Sequence, residues 1–143
     1  MLFLACDHGG FCLKTAIAEH LKARGIPYTD CGTDSEEAVD YPIYAKKALS
    51  QMDPARDRAI LCCGTGLGMM LCANRVPGVR AVCVTDPFSA KHSRSHNNAN
   101  VFCLGGRVLT SEAALVLVDL FLDTEFDGER HARRLQQIDE LFS

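Results

Sequence analysis

Ala59-Ile60-Leu61-Cys62-Cys63-Gly64-Thr65-Gly66-Leu67-Gly68 carries an apolar, strand-like run, Ala59 to Leu61, into a thiol and a loop of alternating glycines. A buried strand ending in such a loop, with a helix opening near Gly66, is the signature of a parallel sheet whose connections are helices. Glycines let the backbone approach a ligand and aim N–H groups inward, and a helix N-terminus adds positive potential. Such surroundings favour thiolate over thiol, so Cys63 is a candidate base or nucleophile. Donors beside it would steady a developing negative charge, the pairing that carbonyl and enolate chemistry needs.

The rest of the chain repeats the rhythm. A strand at Leu2 to Cys6 precedes a helix from about Gly10 to Arg24, stopped by Gly25 with Pro27 beyond. Pro27 to Cys31 reads as a modest strand, and Tyr41 to Met52 as a helix with Pro42 in its first turn and Asp53-Pro54 at its end. After the glycine loop, a helix runs through Met69 and Leu71. Pro77-Gly78 turns into a strand at Val79 to Val84, and Asp86-Pro87 supplies the cap and first-turn proline of the next helix. Val101 to Leu104 makes the fifth strand, and helices at Ser111 to Leu122 and about Gly128 to Phe142 close the chain. The predicted fold is α/β, a three-layer α/β/α (Rossmann-like) arrangement with a five-stranded parallel sheet.

At 143 residues and 48% hydrophobic content, with no linker-like stretch, the chain is expected to form one domain over residues 1–143. Eight cysteines in a chain with no signal peptide fit reduced thiols in the cytoplasm better than a disulfide scaffold, and seven of them are expected to be small core hydrophobes. The longest apolar segment, Ala113 to Leu122, falls well short of the ~20 residues needed to cross a bilayer, so no membrane association is expected. A net charge of −3 with a pI near 5.9 argues against a nucleic-acid surface.

In open parallel sheets, ligands bind beyond the carboxyl ends of the strands. Strand one exits into Asp7-His8-Gly9-Gly10, strand three into Cys63 and its glycines, and strand five into Gly105-Gly106-Arg107. His96-Asn97 closes the helix before strand five. Arg130 and Arg134, four residues apart, share a helix face beside the stripe of Leu135, Ile138 and Phe142, and paired guanidinium forks suit a phosphate. His92 and His96 also share a face, but no Cys-x-x-Cys accompanies them and no metal is expected.

Taken in order, Asp7-His8-Gly9-Gly10-Phe11, Asp40-Tyr41-Pro42, Cys63-Gly64-Thr65-Gly66-Leu67-Gly68-Met69, His96-Asn97, Gly105-Gly106-Arg107 and Gly128-Glu129-Arg130-His131 resemble ribose-5-phosphate isomerase type B over essentially the whole chain. The wider family includes galactose-6-phosphate and allose-6-phosphate isomerases. The resemblance implies that Cys63 moves a proton between sugar carbons and that His96 helps to open the cyclic sugar. It assigns substrate binding to Asp7, His8, Gly64, Thr65, Gly66, Leu67, Gly68, Asn97, Arg107, Arg130 and Arg134; the chemistry itself adds Tyr41 as a candidate to assist by hydrogen bonding. It implies no cofactor, and a homodimer with the active site at the subunit interface, where His96, Asn97 and Arg107 come from one subunit and the thiol from the other. Two departures stand out: Asn98 where many relatives have Asp, and Glu129 in place of a glycine before Arg130.

Two other readings compete. A dinucleotide-binding module would use the glycine loop with Asp86 as a ribose ligand, but the glycines run G-x-G-x-G instead of G-x-G-x-x-G and follow the third strand. A non-catalytic sugar-phosphate sensor would keep the arginines and dispense with the base. The expected reaction interconverts ribose 5-phosphate and ribulose 5-phosphate, with a six-carbon sugar 6-phosphate as the alternative substrate.

Overall fold

The computed structural model describes residues 1–143. Its strands are β1 (Leu2–Cys6), β2 (Thr29–Asp30), β3 (Arg58–Cys63), β4 (Ala81–Cys83) and β5 (Val101–Gly105). Its helices are α1 (Phe11–Ala23), α2 (Tyr41–Leu49), α3 (Leu67–Ala73), α4 (Pro87–Ser95), α5 (Ser111–Asp123) and α6 (Arg130–Phe142), and a short 3-10 turn at His8–Gly10 precedes α1. The sheet is parallel throughout, in the order β2-β1-β3-β5-β4. The expected five-stranded α/β architecture is what the chain adopts.

The three central strands are apolar at every position except Arg58, which opens β3, because both sheet faces are covered, so alternation there sorts residues between two cores and not between core and solvent. Leu4, Ile60 and Phe102 are aligned across β1, β3 and β5 and join the core beneath α1, α4 and α5. Phe102 stacks on Phe121 of α5 with ring centroids 4.7 Å apart, a pairing worth about 1 kcal/mol beyond its burial. The alternate residues, such as Leu61 and Cys103, face α2 and α3. Consequently β1 and β5 hand the chain to helices on one face and β3, between them, to a helix on the other. Loops leaving neighbouring strands toward opposite faces open a crevice at their carboxyl ends, centred on Cys63.

Helix starts follow their sequence signals. Asp86 accepts a hydrogen bond from the Ser89 N–H (2.7 Å) with Pro87 behind it, and Thr110 caps α5 through the Ala113 N–H (3.2 Å). The edges are shorter than expected. Thr29–Asp30 replaces a strand from Pro27 to Cys31 because an edge strand is held from one side only, and Ala81–Cys83 replaces Val79 to Val84 for the same reason. Gly66 does not begin α3 as expected but precedes it with φ +83°, a left-handed conformation that suits glycine.

The apolar α5 is covered chiefly by its own chain: Ala114, Leu117, Val118 and Phe121 are buried, while Val116 is exposed. The cysteines do not match the expectation of seven core thiols. Cys6, Cys62, Cys63 and Cys103 are buried, Cys31, Cys72 and Cys83 are half-buried, and Cys12 lies on the surface beside Glu36. Cys12 is on the outer face of α1, and the other three lie at the ends of elements, where the packing thins. All eight are unpaired. No helix is long and apolar enough to cross a membrane.

Candidate active site

The carboxyl ends of β1, β3 and β5 are knitted together by backbone. Gly106 N–H donates to Cys63 O (2.8 Å), Arg107 N–H to Gly64 O (3.0 Å), and Asp7 N–H to Cys62 O (3.2 Å). This packing is too close for side chains: a Cβ on Gly10 would lie 2.4 Å from the Cys62 carbonyl, and one on Gly106 would lie 2.4 Å from Gly9 O. The glycines of the three exit loops therefore draw the three loops into one site.

Cys63 is 4% exposed, and its sulfur accepts the Gly66 N–H at 3.1 Å. The loop places a donor directly on the candidate base. Burial pushes the Cys62 and Cys103 thiols well above the usual thiol range and Cys6 up to about 11. They are inert packing.

Around Cys63 the chain assembles the first half of the expected set. Asp7 is buried, and its carboxylate accepts the Gly10 N–H at 3.1 Å, fixing the loop after β1. His8 Nδ1 accepts the Val39 N–H (3.2 Å). The Tyr41 ring lies against Gly68, where an added Cβ would come within 2.6 Å of it, bringing the start of α2 to the start of α3. Thr65 Oγ1 accepts the Leu67 N–H at 3.2 Å, and the Leu67 side chain is exposed. Arg107 differs from expectation. Its Nη1 would be 3.4 Å from a Cβ on Gly64, so it lies with the thiol of its own chain and not with His96 and Asn97. The reason is topological: Arg107 follows β5 and is carried to the carboxyl end.

The second half of the set is elsewhere. His96 caps the C-terminus of α4, a helix antiparallel to the strands, and so sits at their amino ends with Asn97. The same end is marked by Asn100, whose carbonyl accepts the Ala59 N–H at the start of β3. The His131 ring stacks on His96 with centroids 4.0 Å apart and planes 12° from parallel, and Asp127 N–H donates to Ser95 O (2.9 Å). These contacts bring the exposed Arg130 and Arg134 to the amino end as well. The length of β3, roughly 20 Å at 3.3 Å per residue, separates His96 from Cys63 within one chain. None of the five main cavities of the chain is lined by Cys63, His96 or Arg134.

The two departures have structural consequences. Asn98 has φ +47° and accepts a hydrogen bond from Arg94 Nη1 (2.9 Å), the arginine that also holds Ala99 O (2.6 Å) below the His96-Asn97 turn. Glu129 has φ +53°, a conformation in which glycine is at ease and glutamate is strained, and its side chain is exposed. Sequence reasoning left Asp127 and His131 without roles, although their four-residue spacing at the entry to a helix could have drawn attention to them. It also missed Lys14, buried behind Cys6, whose ammonium donates to Asp30 (2.7 Å) and to Thr33 O (2.6 Å) and so ties the neighbouring loop to β1.

Comparison with known proteins gives this arrangement a lineage. Ribose-5-phosphate isomerase B of Escherichia coli is 45% identical over 134 residues, covering 93% of this chain and 90% of that protein. The structure of ribose-5-phosphate isomerase B from Clostridium thermocellum superposes with a TM-score of 0.93 at 45% identity, covering 98% of this chain and 95% of the other. That of Mycoplasma genitalium, solved with bound ribulose-5-phosphate, superposes with a TM-score of 0.92 at 38% identity, covering 98% and 94%. Residues 2–138 match the Ribose/Galactose Isomerase family, and with so complete a match in sequence and in fold the chain belongs to that family.

Proposed function

We propose that this protein interconverts ribose 5-phosphate and ribulose 5-phosphate, as a single isomerase domain over residues 1–143 that works as a homodimer. The observation that carries the reading is the Gly66 N–H seated on Cys63 Sγ at the crevice where three strands end. Kinship with enzymes of that name, one holding ribulose-5-phosphate, supports the choice of substrate.

Moving a carbonyl from C1 to C2 requires removing the C2 proton and returning it to C1 through an enediolate. Cys63 as thiolate takes the proton and gives it back one carbon away. With the Gly66 N–H on Cys63 Sγ and the Leu67 N–H on Thr65 Oγ1, the N–H groups of Gly64, Thr65 and Gly68 are left to steady the oxygen that becomes negative, and Arg107 adds positive charge on the same side. Losing one such donor typically costs about 3 to 4 kcal/mol of barrier. Asp7, His8, Tyr41 and Thr65 are the candidates for binding the sugar hydroxyls, and Leu67 for flanking the carbon chain. The sugar circulates mostly as a ring, and His96 opens it as general acid and base. Asn97 binds beside it, and Arg130 and Arg134 take the phosphate, whose binding energy holds the carbons in place.

His96 and Cys63 can cooperate only across two chains. In a two-fold dimer the amino-end cluster of each protomer meets the carboxyl-end crevice of the other, producing two complete sites. The exposed Ile138 and Phe142 of α6 and Leu67 and Leu71 of α3 are apolar surface that such a partner would cover. Eight unpaired thiols suit the reducing cytoplasm.

A galactose-type reading, with a six-carbon sugar 6-phosphate, is kept by the family's own breadth. The test is exchange of the C2 hydrogen with solvent deuterium, followed by NMR for ribose 5-phosphate and for allose and galactose 6-phosphates. Rapid exchange and ketose formation with the pentose is expected, whereas binding without exchange would make the protein a sensor. Arg134→Ala is expected to raise KM by about tenfold or more with a smaller change in kcat, because the phosphate is bound alike in the ground and transition states.

A further inference from the structure

The juxtaposition of His96, Asp127 and His131 has no counterpart in the proton-transfer scheme. One ligand atom from each residue lies within 4.8 Å of the other two. His96 comes from the end of α4, Asp127 from the link after α5 and His131 from the first turn of α6, and the Asp127 N–H to Ser95 O bond holds the three segments together. No ring nitrogen of either histidine and no oxygen of the Asp127 carboxylate hydrogen-bonds to another protein group, so all three retain free lone pairs.

We propose that this cluster is a binding site for a divalent transition metal of the zinc type, and that occupancy inhibits the enzyme by claiming His96. Two imidazoles and one carboxylate are a common zinc donor set, with bonds of about 2.0 to 2.2 Å that put ligand atoms roughly 3.4 Å apart. Reaching that spacing takes up to about 1.4 Å of closure by one exposed carboxylate and two imidazoles, whose rings, stacked with planes 12° apart, must also turn so that both lone pairs meet at one ion. His131 is buried and His96 half-buried, so the two imidazoles are brought side by side, with Arg130 and Arg134 of α6 next to them. The same arginines oppose a cation, but both are exposed, and their repulsion is screened by salt whereas the ligand bonds are not. The metal would therefore be a reversible inhibitor, not a structural fixture.

Metal binding stands apart from the isomerase reading, while the inhibition clause rests on it. Co2+ titration of the whole protein, followed by absorption, reads the site without any assay of activity. Visible d–d bands without thiolate-to-metal charge transfer are expected, with affinity falling at least the roughly tenfold that losing an outer-shell partner costs in His131→Ala and in the milder, fold-preserving Asp127→Asn. Zn2+ should then inhibit the wild type reversibly, with chelator restoring activity, and Asp127→Asn should keep basal activity and lose the inhibition. No Co2+ uptake, thiolate charge transfer, or unchanged affinity in Asp127→Asn would overturn the site. Zinc inhibition that persists in that variant would place the inhibitory metal elsewhere and sink the inhibition clause.

Discussion

Cys63→Ala is expected to lower kcat for ribose 5-phosphate by about 10³-fold, near the middle of the range for a positioned acid or base and equivalent to about 4 kcal/mol of barrier. Substrate affinity should survive, because Asp7, Arg107 and the arginines of α6 are untouched. The fold should survive as well: the replacement removes one sulfur from the edge of the α2 and α3 core, and alanine leaves the strand register and the Gly106 N–H to Cys63 O bond in place. Alanine cannot accept the Gly66 N–H, so the loop loses its anchor at the sulfur as well as the base. Cys62→Ala separates these effects, since that thiol is fully buried and held protonated by its surroundings. It should retain kcat within a few-fold while costing about 1 kcal/mol of stability for the cavity. Kinetics of the two variants, each checked by thermal unfolding, decide the matter. A Cys63→Ala enzyme with wild-type kcat would remove the proposed base.

Much of the fold was legible because the signals were redundant. The apolar runs of β1, of β3 from Ala59 onward and of β5 are too short for helices and carry no alternation, which leaves only buried strands. Asp86-Pro87, followed by residues that can propagate a helix, marks the start of α4 as cap and first-turn proline. The edge strands were less legible, since hydrogen bonding on one side, and not composition, sets where Thr29–Asp30 and Ala81–Cys83 end. Burial of cysteines was misjudged for a related reason: a thiol is apolar wherever it lies, and only the packing of α1 and the element ends distinguishes Cys12, Cys31, Cys72 and Cys83 from Cys6 and Cys103.

For the site, the exit-loop residues could be read from the rule that parallel sheets bind at their carboxyl ends. Arg107 was misplaced in the division between subunits, although its position after β5 dictates that it stays with the thiol. Asp127 and His131 escaped notice because their meeting with His96 depends on how α6 folds back across the end of α4, a long-range contact with no local signature.

Chain direction alone puts Cys63 at one end of the sheet and His96 at the other, so the account requires each site to draw on two protomers. His96→Ala, like Cys63→Ala, should be nearly inactive as a homodimer. When the two variants are unfolded together and refolded, half of the dimers are hybrids, and in a hybrid one site inherits both lesions while the other inherits neither. One site in four is then intact, and activity should return to about a quarter of the wild-type value. Measured after refolding equal amounts of Cys63→Ala and His96→Ala, a rise to that level supports the shared site, and a mixture that stays as inactive as its parents while hybrids are demonstrably formed contradicts it.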